Sequence, residues 1–173
     1  MADEPECGYV RCSTKQLPKI VEMNKAHHTH TLFILMCSDP LHGAALEGVP
    51  TENVFCLERF CDGLSDSEDP FTPEQRGALE ELTLFVTSKS KLAKKPEMVV
   101  AVCNGGKNRS GLACALAFRA FHGGPPPADF GVGPATNPYF QAVAARGLDA
   151  APPPRPTRKR SSSQGAAVTT SSA

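Results

Sequence analysis

Residues 98–121 read MVVAVCNGGKNRSGLACALAFRAF, and this stretch constrains the chain more than any other. Met98–Val102 is apolar at every position, the pattern of a strand covered on both faces of a sheet. Ser110–Phe121 is apolar almost all round, the pattern of a buried helix. The segment between them is short and carries Gly105 and Gly106, so it reads as a tight strand–loop–helix connection. Such a strand and helix need further layers to cover them. The pattern therefore requires an α/β domain with this strand near its centre.

The rest of the chain supplies those layers. Leu17, Ile20, Val21 and Met23 space a short helix over 14–26, with Pro18 tolerable in its first turn. The run TLFILMC (31–37) reads as a buried strand and NVFCLERFC (53–61) as a second. Residues 38–52 read as a loop with one helical turn. Thr72-Pro73-Glu74-Gln75 announces a helix with a hydroxyl N-cap, a proline at its first position and a glutamine at its third. Leu79, Leu82 and Val86 give that helix its apolar stripe. A final short helix is expected over Asn137–Leu148.

Three segments follow from composition: a flexible N-terminus (1–9), one domain (10–149) and a Pro/Ser/basic tail (150–173) that has no means of burying a core. The chain has 173 residues and a formal net charge of zero, with 18 basic and 18 acidic side chains. The tail holds four of the basic ones and no acid, so the body is mildly acidic. That excludes a general affinity for double-stranded DNA or anionic membranes. The longest apolar runs are far too short to span a membrane. Seven cysteines, an odd number behind an acidic and polar N-terminus, point to reduced thiols in a cytoplasm or nucleus. Arg155–Arg160 could serve nuclear import or simply be a solvated tail.

The loop is where chemistry concentrates. A loop between a strand end and a helix N-terminus turns its N–H groups inward and makes an anion cradle, reinforced by the helix dipole. Cys103 stands at the base of that cradle, where a thiolate is favoured and becomes nucleophilic. Arg109 closes the far end and can grip two oxygens of a phosphate as a fork. Ser110 can donate a hydrogen bond to the sulfur. Gly105 and Gly106 allow close backbone approach. Asn104, Lys107 and Asn108 complete the phosphate-binding set, and Lys107 is expected at the mouth of the cradle. Cys114 is expected to be core. Cys7/Cys12 and Cys56/Cys61 each show C-x4-C spacing, but solvated or strand cysteines are the ordinary reading, and no metal or other cofactor is expected. A redox partner for Cys103 among the other cysteines is conceivable, and the sequence does not choose one.

Cys103, Gly106, Arg109 and Ser110 fit C-x-x-G-x-x-R-[ST], and here the chain resembles the cysteine-dependent tyrosine and dual-specificity phosphatase superfamily. The resemblance implies a central, mostly parallel sheet flanked by helices, and hydrolysis of phosphate esters through a phosphocysteine. It extends over roughly residues 10–148 and includes GPATNPYF (133–140) before the last helix. One departure is plain: Val102 stands where the family's pattern has histidine. PEMVVAVCNGGKNRSG is also similar to the RNA 5′-triphosphatase branch, which includes capping enzymes and the baculovirus phosphatase. Asn108 before the arginine is the most specific link. The substrate is thus expected to be a phosphoprotein or an RNA 5′ end. A phosphate-binding module without activity is the reading from another class.

A poor leaving group needs a proton, usually from an aspartate ahead of the preceding helix. The candidates are Asp69, Asp62 and Asp66, in that order. Family spacing favours Asp69, and a place directly after a strand favours Asp62.

Overall fold

A computed structural model describes residues 6–27, 30–57, 60, 72–128, 130 and 137–149. Four strands form one parallel sheet: β1 (Gly8–Ser13), β2 (Thr31–Leu35), β3 (Val54–Cys56) and β4 (Met98–Cys103). Their order is β1-β4-β2-β3, so β4 lies inside the sheet as its apolar sequence requires. The helices are α1 (Leu17–His27), α2 (Leu41–Ala45), α3 (Pro73–Ser90), α4 (Asn108–His122) and α5 (Pro138–Arg146).

The sheet separates two apolar layers. Alternate β4 residues Val99, Ala101 and Cys103 join Leu32, Ile34 and Met36 on the face covered by α3, α4 and α5. Val100 and Val102 join Cys12, Phe33 and Leu35 on the other face, against Leu17 and Val21 of α1. The chain steps from β1 to β2 across one face and returns from β3 to β4 in the opposite direction across the other. Right-handed crossovers running in opposite directions put their helices on opposite faces. The reversal brings β4 between β1 and β2, and because all strands are parallel their C-terminal ends share one edge. That edge, at the reversal, is where open α/β sheets hold ligands.

Local signals account for most elements. Thr72 and Gln75 form a reciprocal capping box, Gln75 N–H to Thr72 Oγ1 at 3.2 Å and Thr72 N–H to Gln75 Oε1 at 3.2 Å, with Pro73 at the first position. The stripe Leu79, Leu82 and Val86 is fully buried. Asn137 caps α5, its Oδ1 accepting from Tyr139 N–H at 2.9 Å.

Three differences from the sequence reading stand out. Strand β1 was not expected: GYVRCS has no apolar run, and only pairing with β4 from Gly8↔Met98 to Ser13↔Cys103 makes it a strand. Gly8 and Tyr9 therefore belong to the folded body and not to an N-terminal extension. Of the strand expected over 53–61, the described residues form one at Val54–Cys56, paired with Phe33–Leu35 of β2. Helix α4 is buried over Ser110–Ala117 and emerges toward its end. The tail 150–173 lies outside the described residues. Among the described residues no helix is long and apolar enough to cross a membrane.

Candidate active site

Cys103 ends β4 and is 3% exposed. The chain then turns through Asn104 and Gly105, both exposed, and enters α4 at Asn108. Cys103 Sγ lies 3.3 Å from Ser110 Oγ, and Ser110 is fully buried. Burial of Cys103 disfavours its thiolate. The Ser110 hydroxyl and the N–H groups of Ser110, Lys107 and Gly106 outweigh that cost by hydrogen-bonding the sulfur, so the pKa falls below 9.0. The other cysteines with a resolved shift move the other way. Cys12 and Cys114 are each pushed to about 12 by burial first of all. Only Cys103 among them has loop amides to hold a negative charge.

Gly106 explains the central glycine of the motif. Its φ is +64°, and a Cβ there would lie 2.7 Å from both Cys12 C and Ser13 N. The backbone of β1 is thus one constraint that holds this position to glycine. Gly105 is the open one, since a Cβ built on it meets nothing within 4 Å. The loop is pinned by Gly106 N–H to Cys103 O at 3.2 Å and Gly111 N–H to Lys107 O at 3.0 Å. From β1, Arg11 Nη1 donates to Lys107 O at 3.5 Å.

Arg109 is held by carbonyls that no sequence pattern marks. Its Nη1 donates to Phe60 O at 2.9 Å and to Met36 O at 3.3 Å. Phe60 is itself fixed by stacking on Phe140 of α5, with ring centroids 5.9 Å apart. Arg109 Nε is buried and has no hydrogen-bond partner among the described residues. A buried donor left unpaired is costly, and an anion in the cradle would supply the missing acceptor. Asn108 links the loop to α5: its Oδ1 accepts from Asn137 N–H at 3.2 Å. Its carboxamide oxygen is thus engaged in holding the site together.

The structure therefore brings together Cys103, Gly105, Gly106, Lys107, Asn108, Arg109 and Ser110 at the C-terminal edge of the sheet, with Asn104 exposed beside them. Lys107 is exposed. Asp62, Asp66 and Asp69 lie outside the described residues. Val102 is fully buried among the α1-face apolar residues. Missed by sequence reasoning were the carbonyls of Met36 and Phe60 and the β1 backbone at Cys12–Ser13. These are main-chain contacts, and side-chain patterns do not encode them. Among the described residues no group of three His, Cys, Asp or Glu side chains is placed to hold a metal ion.

Compared with protein-family models, curated proteins and solved structures, the chain matches none.

The thiolate has a direct consequence. The rate of Cys103 alkylation by iodoacetamide, followed against pH, is expected to show a midpoint below 9.0. Ser110→Ala removes a hydrogen bond to a charged group, so the midpoint should rise. An unchanged midpoint would show that the hydroxyl does not stabilise the sulfur.

Proposed function

We propose that the chain is a cysteine-dependent phosphatase of the dual-specificity type, acting through a phosphocysteine. One observation carries this reading: at the C-terminal edge of the sheet a cysteine with a favoured thiolate ends β4, and within seven consecutive residues an arginine with a buried, unpaired donor stands in the first turn of α4. The Ser110 hydroxyl and the N–H groups of Gly106, Lys107 and Ser110 favour the thiolate of the cysteine, and Arg109 Nε is buried with no hydrogen-bond partner among the described residues. An ordinary strand–turn–helix needs neither feature.

In the mechanism the cradle binds a phosphate monoester. Its N–H groups and Arg109 hold the equatorial oxygens, where charge is spread in the transition state. The Cys103 thiolate attacks phosphorus in line, the S–P bond forms and the ester P–O bond breaks. The leaving oxygen takes a proton from an acid, for which Asp69, Asp62 and Asp66 remain the candidates. Water then attacks phosphorus, the S–P bond breaks, and the Ser110 hydroxyl stabilises the departing thiolate. The residues supply this chemistry without a cofactor. A reducing compartment, cytoplasm or nucleus, suits a nucleophile of this kind.

A second substrate reading is an RNA 5′ end bearing di- or triphosphate. Arg11 and Lys107 favour it, because both stand at the loop with no carboxylate partner among the described residues. Neighbouring phosphates on one substrate would meet these cations.

The test is turnover by the reduced full-length protein of an aryl phosphate and of RNA carrying a labelled γ-phosphate. Release from the aryl ester supports the protein-phosphatase reading, and release from RNA alone selects the 5′-end reading. No turnover of either, with inorganic phosphate still bound, would leave a phosphate-binding module and overturn the enzyme.

A further inference from the structure

The cradle occupies one edge of the sheet, and a second cavity opens at the other. It holds about 340 Å³ and lies on the α1 face, at the start of β2. Its floor is apolar: Val21 of α1 and Phe33 of β2 are each 2% exposed, and Val49 packs against the same cluster. Thr31 pairs with Met98 at this end of the sheet, and Cys103 lies at the other end of β4. At about 3.3 Å per residue, the length of β4 puts the cavity roughly 16 Å from the cradle. No step of the proposed reaction uses it.

Three polar side chains line the cavity with bonding capacity to spare. Lys25 crosses from α1 to the turn at 46–49, where its Nζ donates to Glu47 O at 2.6 Å. An ammonium has three donors, so two remain. Lys25 has no carboxylate partner among the described residues, and Glu47 presents its carbonyl here and not its carboxylate. His30 is fixed at the sheet edge, its carbonyl accepting from Glu97 N–H at 2.8 Å. Its ring nitrogen Nδ1 is buried and has no hydrogen-bond partner among the described residues. The Asn53 side chain likewise makes no hydrogen bond among the described residues. An ammonium beside an amide recognises anionic oxygens, and an apolar floor receives the body that carries them. A buried imidazole nitrogen left unpaired is costly, and a ligand at its side would supply the missing partner.

We propose that this cavity is a second binding site, separate from the cradle, for a small organic anion with an apolar body. Lys25 and Asn53 hold the anionic oxygens. Val21, Phe33 and Val49 receive the apolar body. His30 Nδ1 bonds a polar atom of the ligand, as acceptor or donor according to the ring's tautomer. A ligand held this way ties together α1, the start of β2 and the connection that leads into β3. A molecule that binds only the folded chain also raises its stability. The inference is independent of what Cys103 does.

The test is an NMR titration of the reduced, isotope-labelled full-length protein with three probes. Indole-3-acetate carries both charge and body, indole-3-ethanol the body alone, and acetate the charge alone. Indole-3-acetate is expected to shift the His30 ring and Phe33 signals, to leave those of Gly105 and Lys107 in place, and to raise Tm with its concentration. It should bind at least tenfold more tightly than either of the other two. Lys25→Gln should weaken it at least tenfold, while Lys25→Arg, which keeps the charge, should cost less than about threefold. Asn53→Asp, which brings a like charge, should weaken it as Lys25→Gln does. Equal binding of indole-3-ethanol would overturn the anionic half of the proposal, and equal binding of acetate the apolar half. No shift at His30 at millimolar indole-3-acetate would overturn the site. So would shifts confined to the cradle loop together with protection of Cys103 from iodoacetamide, since the probe would then occupy the other edge. Lys25 is exposed, so its variants should fold. Should one fail, the three probes on the wild type still decide. Turnover of aryl phosphate is measured separately. A protein that binds the probe but does not turn over keeps this inference and loses the enzyme, and one that turns over but ignores the probe loses this inference alone.

Discussion

Cys103→Ser is expected to abolish turnover while leaving the fold and phosphate binding in place. A serine hydroxyl stays protonated where the thiol ionises, because the hydrogen bonds that stabilise a thiolate at Cys103 fall far short of ionising an alcohol. Removal of a nucleophile that acts through a covalent intermediate costs at least ~10⁴-fold in kcat. The loop is pinned by main-chain bonds and Arg109 by carbonyls, and a serine oxygen at 103 can accept the hydrogen bonds that the sulfur accepts. Inorganic phosphate should therefore bind the variant at least as well as the wild type, measured by calorimetry. A variant that retained a tenth of the activity would assign the chemistry elsewhere.

Gly106→Ala is expected to damage both stability and site. The left-handed conformation at +64° costs a residue with a Cβ about 1–2 kcal/mol. The added methyl also meets the backbone of Cys12 and Ser13 at 2.7 Å, and backbone within a sheet cannot swing aside as a side chain can. Overpacking of this kind adds about 1–3 kcal/mol. The total, ~2–5 kcal/mol, is a large fraction of a domain's stability. Urea denaturation should show a lower midpoint, and the alkylation of Cys103 should slow because the N–H groups that hold its thiolate have shifted. Gly105→Ala is the control, since its Cβ has open space, and it should unfold as the wild type does. Equal midpoints for the two alanine variants would refute the role assigned to Gly106.

How legible these features were depended on where their causes lie. Strand β4 and helix α4 declared themselves because both faces of each are covered, which demands unbroken apolar sequence. α3 declared itself through a cap whose two bonds are local in sequence. β1 did not, since its cause is a partner ninety residues away: GYVRCS carries a glycine, an arginine and a serine, and is a strand by virtue of β4's unpaired edge. The same distinction governs the site. Cys103, Gly106, Arg109 and Ser110 were marked because loop length and residue type fix their chemistry within a few residues. A further reason for the glycine was not legible, because the obstacle at Gly106 is β1, an element the pattern does not announce.

The sequence alone determined that a thiol and a guanidinium would stand at the two ends of one strand–loop–helix connection, because that juxtaposition is built within seven consecutive residues. The tertiary structure decided what makes it a site. Carbonyls of Met36 and Phe60 aim the guanidinium, and α5 holds Phe60 by a stacked ring. The end of β1 supports the loop, and the parallel sheet gathers Cys12, Cys37 and Cys103 at one edge. These contacts join residues dozens of positions apart, mostly through backbone atoms that are the same in every residue. Side-chain sequence therefore carries no local record of them, and only the folded chain brings them into being.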